Sequence, residues 1–173
     1  MRFLCFSRGG GKRKYFRHQP VNTPLVVLWQ EMIQSLFLLS PTGEVLIERH
    51  FRGVVTERSV CDEYWLKVVS DSSIAQAPVL QVTSEQQGTL YIISIRRDGL
   101  SYLAICQNEV SPLLILELLH RFANIFRDYF SIPDETAIKD NFSVVYQLLE
   151  EMIDYGWPLT VEENPLKAMI RPP

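Results

Sequence analysis

LYIISIRRDGLSYLAICQ, residues Leu90–Gln107, decides the fold. Two β-rich runs, Leu90–Arg96 and Leu100–Gln107, flank Arg97-Asp98-Gly99. Asp-Gly tolerates the positive φ angles that a two-residue hairpin turn requires, so the runs are read as adjacent antiparallel strands. Neither run alternates between apolar and polar. Strands apolar on both faces belong in a sheet that is covered on both sides.

Upstream, Ile33–Leu39 is a third nearly continuous apolar run and reads as a central strand. Pro41-Thr42-Gly43 has the chemistry of a turn, and Glu44–Phe51 reads as its more exposed hairpin partner. Ser59 with Asp62 three residues on resembles a capping box, and Val60, Tyr64, Trp65, Val68 and Val69 recur at helical spacing to about Ser70. Residues 71–78 read as loop, Val79–Thr83 as a short strand and Gln86-Gln87-Gly88 as a turn.

Downstream, Ser111-Pro112 opens a long helix, with Ser as N-cap and Pro at the first position. Leu113, Leu116, Leu119, Phe122, Ala123, Phe126 and Phe130 make a wide apolar face that needs cover on more than one side. Ile132-Pro133-Asp134 starts a last helix with one seam, Ile138, Phe142, Val145, Leu149 and Met152, ended by Gly156 as C-cap and Pro158. The order β-β-α-β-β-β-α-α with hairpin links predicts an α+β fold. It is an α-β-α sandwich with an antiparallel sheet of about five strands, one helix on one face and two on the other.

Composition narrows function by exclusion. At 173 residues, 47% hydrophobic and 21% charged, the chain is no disordered tail and no collagen. Apolar runs such as Pro24–Trp29 fall well short of the ~20 residues that span a bilayer. Cys5, Cys61 and Cys106 form no CxxC, which argues against zinc or a disulfide framework. Net charge is −3, unevenly spread: residues 1–30 hold six basic residues and no acid. With Gly9-Gly10-Gly11 and Pro20, residues 1–31 read as a basic flexible extension. A lipid- or RNA-binding arm at Lys12-Arg13-Lys14 is the sharper alternative, and Met32 is a conceivable second start.

No reactive constellation is legible. Gly11-Lys12 is followed by Arg13 and lacks the first glycine of a phosphate loop. His18, His50 and His120 have no second ligand at i+3 or i+4. Glu150 and Glu151 diverge by ~100° on a helix and cannot clasp a substrate. Asn141-Phe142-Ser143 matches a glycosylation sequon but lies in the last helix. Cys61, in a helix first turn, is the one thiol with a reason to be activated. Hence no catalytic, metal or cofactor site is expected. What remains is aromatic surface: Tyr64, Trp65, Tyr146, Tyr155 and Trp157 are the candidate partner-interface residues, with ordinary core as the alternative for each.

Asp140-Asn141, Val145-Tyr146, Leu148-Leu149-Glu150-Glu151-Met152 and Asp154-Tyr155-Gly156-Trp157-Pro158 together resemble the medium (mu) chains of the adaptins, those of adaptor protein complex 3 in particular. Met32–Leu38, Thr42-Gly43-Glu44, Ser59-Val60-Cys61-Asp62, Glu109–Leu113, His120-Arg121, Asp128-Tyr129-Phe130 and the ending Leu166–Pro173 are similar too, so the resemblance covers residues 32–173. It implies a longin domain over 32–159, preceded by the 1–31 extension and followed by a linker over 160–173. It also implies a heterotetramer of two large chains, one medium and one small chain, sorting cargo into vesicles at the cytoplasmic face of Golgi and endosomal membranes. The medium chain docks directly on a beta-type large chain, and membrane association is indirect, through the complex. Nucleic acid has no part in this. Medium chains continue into a β-rich domain that binds tyrosine-based signals, and this chain is expected to lack it. The alternative is an adaptor small (sigma-type) chain or another longin-type trafficking module; an enzyme is the remote third class.

Overall fold

The structure is a computed structural model that describes residues 32–51, 53, 55–71 and 77–173. The basic extension and most of the 71–78 loop lie outside the described residues. Five strands, β1 (Ser35–Leu39), β2 (Val45–His50), β3 (Val79–Ser84), β4 (Gly88–Arg97) and β5 (Leu100–Cys106), pair antiparallel in the order β2-β1-β5-β4-β3. The two strands apolar on both faces, β1 and β5, lie side by side in the middle and are buried at every position. Asp98 (φ 55°) and Gly99 (φ 81°) form the expected β4–β5 turn.

Alternation splits the sheet's side chains into two cores. Phe37, Leu39, Leu90, Ile92, Leu103 and Ile105 point to helix α1 (Ser59–Ser70) and meet Val60, Cys61, Tyr64 and Val68. Leu36, Leu38, Ile93, Tyr102 and Ala104 point the other way, to α2 (Pro112–Phe130) and α4 (Phe142–Met152). One helix therefore covers one face and two long helices the other, as the pattern predicts.

Several local expectations are corrected. Ser59 is the first helical residue of α1, not its cap: Arg58 holds the cap position, and the Ser59 hydroxyl donates to Glu57 Oε2 (3.1 Å), so no capping box forms. The single last helix is two. Asp134 caps α3 (Glu135–Asp140) by accepting from the Ala137 N–H (2.7 Å), and the chain breaks at Asn141 before α4. The break turns Phe142 out of the predicted seam, 58% exposed, while Val145, Leu148, Leu149 and Met152 stay buried. The sequon thus sits at this break, and the Asn141 side-chain amide is engaged by the Ala137 carbonyl (2.9 Å). Leu113 is likewise turned out, at 76% exposed, because the buried face of α2 begins at Ile115 and runs through Leu118, Leu119, Phe122 and Phe126.

Gly156 is not a C-cap. α4 ends at Met152 and runs into a small hairpin, β6 (Ile153–Asp154) with β7 (Trp157–Pro158), turned by Tyr155 (φ 46°) and Gly156 (φ 82°). The turn presses on the chain entering β1: the Ile33 N–H donates to the Gly156 carbonyl (3.1 Å), and a Cβ at Gly156 would lie 2.1 Å from the Ile33 oxygen. Nor does packing stop at residue 159. Helix α5 (Glu163–Met169) buries Leu166 in the α2/α4 core, and the Tyr129 hydroxyl donates to the Ile170 carbonyl (3.1 Å).

A polar clamp holds the connection from β2 to α1. Ser35 Oγ lies 2.9 Å from His50 Nδ1 and 2.7 Å from Thr56 Oγ1, and Gln34 Nε2 donates to Thr56 Oγ1 (3.0 Å). The Thr56 N–H also points at His50 Nδ1 (3.4 Å). A backbone N–H can only donate, so Nδ1 accepts and the neutral ring carries its proton on Nε2. Burial depresses the His50 pKa below its ordinary value, with Arg49 and Arg58 pushing it the same way and Glu48 opposing.

These positions set four expectations. Gly156→Ala meets both a backbone oxygen and a left-handed φ, and should cost ~2–4 kcal/mol in urea melts. Gly88→Ala, at φ 74° with nothing within 4 Å of its Cβ, should cost only about 1 kcal/mol. Leu166→Ala should cost about 2–5 kcal/mol, whereas a solvated linker would lose almost nothing. A folded-state histidine pKa below the unfolded one means the unfolded chain binds more protons as pH falls from the unfolded value of 6.5 toward the folded one, so stability drops across that window. Denaturation midpoints between about pH 7.5 and 5.5 should show this slope, and His50→Gln should flatten it.

Candidate partner interface

The five candidate aromatics do not form one patch. Tyr64 is core: it is 2% exposed, facing the sheet from α1 with its hydroxyl donating to Ser94 Oγ (3.2 Å). This corrects its place among the interface candidates, because a side chain sealed inside the chain offers no surface. Its neighbour Trp65 is half-buried. The ring lies over Gly43 in the β1–β2 turn, where a Cβ would clash at 2.6 Å, and the Arg96 guanidinium carbon lies 5.8 Å from its centroid. Leu66 and Val69, one turn apart on α1's outer side, are exposed near it. Hydrophobic periodicity counts such residues as core and gives no sign that they face out.

Tyr146, Tyr155 and Trp157 belong to the opposite layer. Tyr146 is half-buried against the α2/α4 core, and its hydroxyl donates to the Glu48 carbonyl on edge strand β2 (3.2 Å), which ties α4 to the sheet edge. Tyr155 (65% exposed) and Trp157 (40% exposed) project from the β6–β7 hairpin, and Leu159 beyond them is also exposed. Beside this hairpin runs an open groove of about 860 Å³, walled by Arg49, Phe51, Glu150, Ile153, Asp154 and Tyr155. An Arg49–Glu150 ion pair crosses it, and the Arg49 guanidinium also stands 5.9 Å from the Phe51 centroid. Aromatic residues around a few charges are the composition of a protein-docking surface.

The two described thiols are not activated. Burial pushes the Cys61 thiol up to about 12, overriding the helix N-terminus that recommended it; Cys106, its sulfur 2.9 Å from the Met32 carbonyl oxygen, is likewise pushed up to about 12. Thiols so shifted are protonated at neutral pH and are poor nucleophiles. His120 is exposed on α2 beside a small cavity lined by Ser94, Arg96 and Leu116. His18 and Cys5 lie outside the described residues. Among the described residues, no three His, Cys, Asp or Glu side chains are grouped to hold a metal ion, and no helix is long and apolar enough to cross a membrane.

Comparison with known proteins agrees with this picture. The chain is 44% identical over 142 residues to AP-3 complex subunit mu-1 of Rattus norvegicus and of Homo sapiens, and 41% identical to AP-3 complex subunit mu-2 of Homo sapiens. Each alignment takes in 82% of this chain but 33% of the relative, so the chain spans about a third of the length of these curated relatives. The fold superposes on a chain of a homology model of the full-length AP-3 complex in a stretched open conformation, with a TM-score of 0.62 at 16% identity, covering 80% of this chain and 90% of that one. The sequence model of the clathrin adaptor complex small chain family matches residues 32–170. The match runs from buried Met32, just before β1, to buried Ile170, just after α5, and the chain belongs to the clathrin adaptor complex small chain family.

Proposed function

We propose that this chain is a non-catalytic assembly subunit of a heterotetrameric vesicle coat adaptor. It takes the medium-chain position by docking on a beta-type large chain, with the second large chain and the small chain completing the complex. The observation that carries this reading is the 44% identity to AP-3 complex subunit mu-1 across 82% of the chain. The aromatic and aliphatic side chains exposed on α1 and on the β6–β7 hairpin support a binding role. The complex would act at the cytoplasmic face of Golgi and endosomal vesicle membranes in intracellular protein transport, and this subunit would reach the membrane through its partners.

Two surfaces are offered for docking: Trp65 with Leu66 and Val69 on α1, and Tyr155 with Trp157 on the hairpin. A second reading places the chain in the small-chain position, favoured by the description of the family matching residues 32–170. Co-expression separates the two. With a beta-type large-chain trunk, the full chain should elute as one 1:1 peak in gel filtration. Separate peaks sink the medium-chain reading, and co-elution with the other large chain instead supports the small-chain one. Within the complex, Trp157→Ala should weaken binding by ~2 kcal/mol or more with the unfolding midpoint nearly unchanged. Tyr64→Ala should do the reverse, losing about 3–5 kcal/mol of folding stability. Calorimetric affinity and thermal melts on the same two proteins test the assignment.

A further inference from the structure

The chain's charge is partitioned in two mirrored blocks. Residues 1–30 contain six basic residues and no acid. Residues 140–166 contain six acids, Asp140, Glu150, Glu151, Asp154, Glu162 and Glu163, and no basic residue. The fold brings Met32 and Ile33, where the described chain begins, beside the middle of the second. Met32 is buried, its carbonyl oxygen lies 2.9 Å from the Cys106 sulfur, and the Ile33 N–H donates to the Gly156 carbonyl. The described chain therefore begins beside the β6–β7 hairpin and its groove. Hydrogen bonds from the Leu159 N–H to the Met152 carbonyl (2.9 Å) and from the Thr160 N–H to the Glu151 carbonyl (3.2 Å) fold the acidic block onto itself there. Glu150 is neutralised by Arg49 and Glu163 by Lys167, but Glu151 and Asp154 have no ion pair among the described residues.

We propose that the basic segment Arg8–Arg17 docks on its own chain, laying its cations against Glu151 and Asp154 and its Tyr15 and Phe16 into the groove beside Phe51 and Tyr155. Arg17 is about fifteen positions from Met32, a connection that spans up to ~50 Å when extended, so reach is no obstacle. Tethering raises the local concentration of the segment to the ~mM range, enough for a modest electrostatic and cation–π contact to hold. The acidic face itself repels an anionic bilayer and attracts this segment, which favours the chain's own arm over a lipid headgroup as its ligand. The proposal is independent of the adaptor reading, and it gives the groove an occupant that a partner must displace.

Amide hydrogen exchange on the isolated full chain tests it without any partner. At about 0.05 M salt, the amides of residues 150–160 should exchange at least ~5-fold more slowly than in a variant carrying Arg8→Glu, Lys12→Glu, Arg13→Glu, Lys14→Glu and Arg17→Glu. The difference should fade by about 0.5 M salt. Adding Glu151→Lys and Asp154→Lys to that variant reverses both partners and should restore slow exchange. Three results overturn the proposal. One is equal exchange in the two chains at low salt. Another is protection that grows with chain concentration alongside a dimeric mass in light scattering, which assigns the groove to a second copy. The last is binding of vesicles of phosphatidylcholine with phosphatidylserine by the original chain alone, with no difference in groove exchange.

Discussion

Everything in this fold follows from two neighbouring strands that cannot show either face to water. β1 and β5 are buried along their whole length. Removing both faces from solvent at a dozen positions is worth roughly 1.5–3 kcal/mol for each large apolar side chain, so a layer of helix on each side is a requirement. α1 supplies one layer alone. The other needs α2 and α4 together, with Leu166 of α5 completing it. The two cores share only the sheet between them, and the side-chain alternation of the strands decides which residue stabilises which layer.

How much of this was legible depended on whether a signal was local or distant. The strands, the Asp98-Gly99 turn and the N-terminus of α2 at Pro112 carry their causes within a few residues, so pattern reading places them. The errors share another origin. Gly156 has the right chemistry for a helix C-cap, but its value lies in the Ile33 oxygen that approaches it from more than a hundred residues away. The seam through Phe142 assumes an unbroken helix, and the break at Asn141 rotates it outward. α5 contributes one buried side chain, Leu166, with Ile170 buried just past its end, too few in a polar context for any periodicity to register. For the interface, aromatic content pointed to the β6–β7 hairpin but equally to Tyr64. A tyrosine at helical spacing beside a tryptophan reads the same whether its ring is inside or outside, and only the orientation of α1 on the sheet separates Tyr64 from Trp65.

The fold also separates fixed from exchangeable surface. Hydrogen bonds consume the backbone of the β6–β7 region on its inner side, at Ile33, Leu159 and Thr160, while Tyr155, Trp157 and Leu159 project outward. A hairpin anchored in this way that presents aromatic side chains would lose little entropy on association. The Tyr146 hydroxyl on the Glu48 carbonyl blunts part of the β2 edge beside it and restrains strand-to-strand association there.

The two buried thiols have a use that their low reactivity creates. Cys61 lies in the core beneath α1 and Cys106 in the core beneath α2 and α4, each on its own side of the sheet. A thiol-specific reagent cannot reach either until its layer lifts away. Alkylation at each sulfur thus clocks the opening of one layer, so a single mass-spectrometric time course would tell whether the sandwich loosens one side at a time or comes apart as a whole.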